Sequence, residues 1–359
     1  MLGTFGASFS GVVDADSPPA FICNVTPAGV PAGAPGSPLV SLPADQADHP
    51  QQTTEWWYLI GTVHAGTHTF GYMMSLNRES AGAARGRYAT SLISIADVTG
   101  NRHYQKVSVF PISSLSASSR TLSVRLPTAS LSGPMNHMSA TARLPGGQIN
   151  MTLSSTGPPL YLNGSGKLPF AGGMSFYYSL PTLTTTGTLR VAGHTYPVRG
   201  LSWLDHQYGK FKVSSINWRW QAEQLDNGVR MNLATIDPPP GQAIWHGGAD
   251  VLMPSGQLFL VPITMQAFAP MFKSQIPGKS YPTRWIVKIP SFNSCLKVTT
   301  SPLDQEFILP SKPRGTLYEG VSTVTGTFQG KPTQGQAWDE QVLGSAASAS
   351  SSSVGQPTH

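Results

Sequence analysis

The chain carries only 17 Asp and Glu among 359 residues, so a carboxylate set among aromatic rings stands out. Glu55 precedes Trp56-Trp57-Tyr58, and Asp205 with His206 lies inside Trp203-Leu204-Asp205-His206-Gln207-Tyr208-Gly209. Glu223 ends the polar side of a segment bearing Trp218 and Trp220. Indole rings strip water from a carboxyl, which penalises its anion and raises its pKa. A carboxyl tuned in this way can give up a proton near neutral pH.

Asp205 and His206 form the most suggestive pair. Neighbours on a strand point to opposite faces, so Asp205 shares a face with Gln207, and His206 with Tyr208. Either face could line a pocket, with His206 as acid or base and Tyr208 donating to an oxygen. The structural alternative is a strand-end turn in which Asp205 caps backbone amides and Tyr208 fills the core. Glu55 has the same two readings, an acid in an aromatic cage or the open end of a strand. The stripe Asn217, Arg219, Gln221, Glu223 faces solvent on an ordinary strand. Inside a ligand-binding barrel, Arg219 and Glu223 would instead form a buried pair.

The elements that must position these residues have a period of two. Phe70, Tyr72, Met74 and Leu76 alternate with their neighbours, as do Leu122, Val124 and Leu126. So do Ile149, Met151 and Leu153, then Trp218, Trp220 and Ala222, then Trp285, Val287 and Ile289. Each is the pattern of a half-buried strand, and no long segment shows helical periodicity. Gly 37 and Pro 31 make up close to a fifth of the residues, with turn signals between the strands, which fits a sandwich or barrel. The class is all-β. Residues 1–44 read as an extended lead-in, 45–195 and 196–343 as two β domains of similar size, and 344–359 as a disordered tail. The second domain begins where Gly200–Gly209 follows a hairpin around Ala192-Gly193-His194.

Composition excludes several functions. Charged residues are 11%, against about 25% in an average protein, and the net +6 is not clustered as a nucleic-acid surface requires. No apolar run reaches the ~18 residues of a membrane helix. There is no Gly-x-Ser-x-Gly elbow, P-loop or Gly-x-Gly-x-x-Gly helix start, so no nucleotide cofactor is expected. No metal is expected either, because His64 and His68 flank a hairpin turn at Gly66-Thr67. Cys23 and Cys295 are read as free thiols, with a single Cys23–Cys295 bridge as the alternative. The balance leans to the cytoplasm, with secretion as the alternative offered by the Asn24, Asn150 and Asn163 sequons. The sequence does not indicate an oligomeric state.

Taken together, EWWYLIGTV at 55–63, FGYMMSLNR at 70–78, GLSWLDHQYG at 200–209 and YPTRWIVKIPS at 281–291 form a series. DQEF at 304–307 and YEGVSTVTGTFQGKPTQGQAWDE at 318–340 complete it. The series resembles the lipocalin-like hydratase family of carotenoid 1,2-hydratase and kievitone hydratase. The resemblance implies two successive lipocalin-like barrels or half-barrels with a pocket at their junction. It also implies cofactor-free chemistry, either hydration of an isoprenoid double bond or cyclisation of the Diels–Alder type. Carried over by motif, it points to Glu55, Trp57, Trp203, Asp205, His206 and Tyr208. Tyr208 stands where many relatives carry Trp, which suggests a more oxygenated substrate.

The expected function is a cofactor-free lyase or isomerase of terpenoid or polyketide metabolism. It would carry out acid-assisted dehydration, pocket-templated ring closure, or both, on a large apolar substrate. The alternatives are an alkene hydratase and a non-catalytic carrier of an apolar metabolite. Asp205, His206, Tyr208 and Glu55 are the expected catalytic residues. Trp57, Trp203, Trp218, Trp220, Arg219 and Glu223 are the expected substrate contacts.

Overall fold

The computed structural model describes residues 25–29, 33, 37–80, 86–211, 217–236, 244–310 and 315–343. Most of the expected lead-in, all of the expected tail and the Pro-rich segment 237–243 lie outside the described residues. Within them, regular helix is confined to four three-residue 3-10 turns. All else that is regular is antiparallel strand, as the alternating pattern requires.

Thirteen strands form one curled sheet, a half-barrel, and nine form a second. Pairing of Ser294–Thr300 with Thr316–Phe328 closes eight of the nine into a barrel. Glu306–Ile308 lies outside that ring and pairs with the Thr316–Phe328 strand alone. Alternation supplies each lobe with its own core. In the half-barrel, Trp57, Leu59, Phe70, Tyr72, Ile149 and Met151 point inward. In the barrel, Met231, Val261, Trp285, Val298 and Val324 fill the lumen. A third cluster, including Tyr58, Ile60, Met73, Trp203, Trp220, Val321 and Trp338, is buried where the lobes meet.

The lobes approach closely at one glycine. A Cβ added at Gly71 on the His68–Ser80 strand would lie 2.6 Å from Cβ of Val321 in the barrel. At the expected hairpin, Val191 pairs with His194, and Ala192 and Gly193 both have positive φ (50° and 88°).

Two expectations are corrected. The Asp205 strand, His194–Lys210, was expected to open the second half. It instead pairs with both Gly173–Val191 and Thr54–Ala65 inside the first sheet. The chain changes sheets between Lys210 and Trp218, with Leu204 packed in the half-barrel core and Trp203 at the lobe junction. The reading of free thiols also fails for Cys295, which is held in a disulfide. Cys23 lies outside the described residues.

Candidate active site at the lobe junction

Strand register sorts the expected residues into three compartments. Thr54–Ala65 pairs with His194–Lys210 so that Glu55 faces Tyr208, Trp57 faces His206 and Tyr58 faces Asp205. Opposed residues share a face. Glu55, Trp57, His206 and Tyr208 therefore meet inside the half-barrel, while Tyr58, Trp203 and Asp205 turn toward the barrel. Glu55 and Asp205 do not share a cavity.

In the first compartment Glu55 is fully buried and saturated with donors. His206 Nε2 donates to Oε1 at 2.9 Å and His49 Nδ1 at 2.9 Å. The His49 backbone N–H lies 3.1 and 3.0 Å from the two oxygens, and Arg78 forms an ion pair with Oε2. Burial pushes Glu55 up, yet the bonds from His206 and His49 and the charge of Arg78 bring it down to about 2. This reverses the expectation that the neighbouring indoles would make Glu55 a proton donor. Burial lowers His206, with Glu55 opposing. In the neutral tautomer assigned from these bonds, Nε2–H donates to Glu55 and Nδ1 accepts from Tyr178 at 3.3 Å. Trp57 stacks on His206 at 4.8 Å, and Tyr208 stacks between His49 at 3.5 Å and Phe176 at 5.3 Å.

His49, Glu55 and His206 offer three ligand atoms within 4.8 Å of one another. The Arg78 guanidinium already occupies that carboxylate, so a metal ion there would face a fixed positive charge. The arrangement is one that ties the 45–49 segment to the sheet.

The second compartment lies between the lobes. Asp205 Oδ1 accepts from Ser179 Oγ at 2.5 Å and Trp203 Nε1 at 2.6 Å, and Oδ2 accepts from Tyr177 at 2.5 Å. Burial raises Asp205 to about 6 against these three donors. Asn232 of the barrel donates to the Tyr177 oxygen at 3.2 Å, which carries the network across the junction. Opposite stand Glu319 and Glu340, directly paired on adjacent strands. Glu319 Oε2 accepts from Tyr58 at 2.5 Å and Trp338 Nε1 at 2.7 Å, and Trp218 Nε1 donates to Glu340. Burial and the like charge of Glu340 push Glu319 well up. Burial, with help from the charge of Asp205, raises Glu340 to about 7. Among the described residues, none of these three carboxyls belongs to an ion pair. Glu319 and Glu340 share a side-chain hydrogen bond, and Trp220 Nε1 has no partner although Trp220 directly opposes Glu340.

The third compartment is the barrel lumen. Arg219 and Glu223 point into it, on the same face as the core residue Leu225, so the stripe does not face solvent. They do not form the pair that a ligand-binding lumen would predict. Glu223 has no hydrogen-bond partner and burial alone raises it to about 8. The charge of Arg219 acts instead on Asp339, which accepts from Gln221, Trp285 and Gln341 at 3.1, 2.9 and 2.8 Å.

A separate cleft of about 650 Å³ is lined by Arg102, His103, Tyr104, Phe272 and Leu303, and it holds none of the expected residues. Tyr58, Tyr177, Glu319, Trp338 and Glu340 were missed by the sequence reading. Glu319 and Glu340 sit inside a segment quoted for the resemblance, but nothing local marks them as facing each other.

A half-barrel and a closed barrel with acids and indoles at their junction define a lipocalin-like, two-lobed β protein. The chain belongs to the AttH-like family, whose model matches residues 33–340. It is 27% identical over 213 residues to the dehydratase asqC of Emericella nidulans, covering 52% of this chain and 56% of that protein. It is 24% identical over 200 residues to kievitone hydratase of Fusarium solani subsp. phaseoli, covering 54% and 56%. The chain thus matches little more than half the length of these curated relatives. Among solved structures, a putative AttH from Nitrosomonas europaea superposes with a TM-score of 0.73 at 20% identity, covering 88% of this chain and 99% of that one. Kievitone hydratase from Nectria haematococca superposes with a TM-score of 0.72 at 18% identity, covering 89% and 97%.

Proposed function

We propose that this chain is a lyase-type enzyme that removes water from a large, apolar, oxygenated substrate held between the lobes, and needs no cofactor to do so. The observation that carries this reading is the Glu319–Glu340 pair: two carboxyls face each other beside Trp218, Trp220 and Trp338, and among the described residues neither belongs to an ion pair. Like charges this close keep one proton between them, which makes the pair an acid near neutral pH. Asp205, steadied by three donors, is the more acidic group and serves as base.

The step balances with these groups alone. The Glu319–Glu340 pair gives its proton to the substrate hydroxyl oxygen, the C–O bond breaks and water leaves. Asp205 takes the proton from the adjacent carbon, and that C–H electron pair becomes the new double bond. The reverse sequence is hydration. Glu340 is only partly covered, so solvent can return protons to the pair. The unpartnered Trp220 Nε1 and the acidic pair suit a bound alcohol, which is donor and acceptor at once. The gap between Ile60, Trp203, Ala222 and Trp338 is about 10 Å³, so a substrate enters by parting these contacts.

The names of asqC and kievitone hydratase, a dehydratase and a hydratase, support water chemistry in this family. Tyr208 and the stripe bearing Arg219 and Glu223 do not face the junction, so neither is placed to template ring closure there. Glu55, His206 and Tyr208 are read as positioning residues that hold the Asp205 strand in register. Incubating hydroxylated terpenoid and polyketide candidates with the protein and reading product mass tests the proposal. A product lighter by one water, lost with Glu340→Gln, supports it. Unchanged binding with no turnover in any variant would favour a carrier.

The Cys295 disulfide suits an oxidising compartment, and Asn163 is exposed within Asn-Gly-Ser. We therefore read the protein as one made for the secretory route rather than the cytoplasm.

A further inference from the structure

We infer that the lobe junction is a cage for positive charge, so that it admits a protonated amine and refuses a carboxylate on the same apolar frame. The inference rests on the junction being the functional site. Three carboxyls, Asp205, Glu319 and Glu340, face this space without an ion-pair partner among the described residues. Tyr58, Trp203 and Trp220 stand around them, with Tyr58 and Trp203 edge-on to Trp220 at 5.8 and 6.4 Å. Aromatic faces attract cations, most strongly where water is excluded, and a neighbouring carboxylate adds to that attraction. The N–H of Trp220, buried, without a hydrogen-bond partner and on the strand position that opposes Glu340, marks the space as one with a polar group that awaits a ligand.

The arrangement names a substrate class and a reaction course. An anion beside the reacting carbon would meet three acidic groups that, among the described residues, have no ion-pair partner, so carboxylated and phosphorylated substrates are refused there. A carbon that becomes cationic as its hydroxyl departs would be stabilised by the same rings and carboxylates. The departing oxygen has the Trp220 N–H to accept from. A protonated amine placed at that carbon imitates the developing charge, and binding of such mimics reports stabilisation of the transition state.

The test uses three ligands with one C10 isoprenoid tail: N,N-dimethylgeranylamine, geraniol and geranic acid. Dissociation constants are read from tryptophan fluorescence of the full chain at neutral pH. The amine is expected to bind about tenfold more tightly than geraniol, and geranate to bind more weakly than both. Glu319→Gln with Glu340→Gln removes the amine preference while far-ultraviolet circular dichroism stays unchanged. Equal affinity for amine and alcohol, tighter binding of geranate, or an amine preference that survives the double variant would overturn the inference. The dehydratase reading is judged separately by turnover. Turnover lost in Glu340→Gln without any amine preference sinks the cage and keeps the enzyme, and the opposite pattern does the reverse.

Discussion

Asp205 and His206 are adjacent in sequence and belong to different sites. His206 donates to Glu55 inside the half-barrel at 2.9 Å, and Asp205 accepts from Tyr177 at the lobe junction at 2.5 Å. Substituting them should separate stability from chemistry. Asp205→Asn keeps the fold and lowers turnover about 10²–10⁴-fold, the usual share of an acid or base. His206→Ala lowers the melting temperature, and activity per folded molecule falls less. Parallel thermal melts and rates check this, and equal turnover losses at matched folded fraction would refute the division.

Arg78 should be the costliest residue to change in the first compartment. Its guanidinium neutralises a Glu55 carboxylate that is entirely out of water, and breaking such a pair costs about 3–5 kcal/mol. Arg78→Met should therefore show a large drop in denaturation midpoint in urea. Because Glu55 is lowered to about 2 from 4.5, its contribution is full above pH 4.5. It is lost as pH falls through about 2.

Glu223 should act with the opposite sign. Burial raises it from 4.5 to about 8, so its folded form holds a proton that the unfolded chain releases. Its contribution to stability is present below pH 4.5 and is lost as pH rises through about 8. Glu223→Gln removes that dependence and should raise the melting temperature more at pH 8 than at pH 5. A shift equal at the two values would show that Glu223 is not held protonated.

The pH–rate profile should rise through about 6 as Asp205 ionises. It should fall on the alkaline side, where the Glu319–Glu340 pair gives up its shared proton. Burial and their mutual charge hold Glu319 well above the ordinary carboxyl range, and Glu340 is raised to about 7. The two limbs belong to coupled groups and are read as apparent values. Kinetics of Glu340→Gln across the same range should lose the alkaline limb.

Gly71→Ala should loosen the junction without touching either acidic group. The added Cβ would meet Val321 at 2.6 Å, and overpacking of this kind costs about 1–3 kcal/mol. Chemical denaturation measures the loss, and Val321→Ala on the same background should restore part of it.

Much of this architecture is legible in the sequence because alternation is a local property. The runs at Leu122–Leu126 and Ile149–Leu153 read correctly as half-buried strands, and alternation placed Asp205 and His206 on opposite faces. Phe70–Leu76 is a strand buried on both faces, because its second face packs at the lobe junction. What alternation leaves open is which faces meet. Nothing near Glu55 announces Arg78 or His206, 151 residues away, and so its carboxyl reads as an acid when it is an anchored anion. Glu319 and Glu340 face each other because two strands of a closed barrel pair in one register. Closure is a property of the whole lobe. The inward turn of Arg219 and Glu223 follows from the same closure.

The central claim is that proton transfer belongs to the lobe junction and not to the Glu55 cluster. The most direct test compares dehydration rates of Glu319→Gln/Glu340→Gln and Glu55→Gln in single-turnover experiments, normalised to folded protein. Products are read by mass spectrometry as loss of one water. The account predicts that the junction variant loses about 10²–10⁴-fold, while Glu55→Gln, though less stable, stays within an order of magnitude of the parent. A junction variant with full activity beside an inactive, folded Glu55→Gln would contradict it.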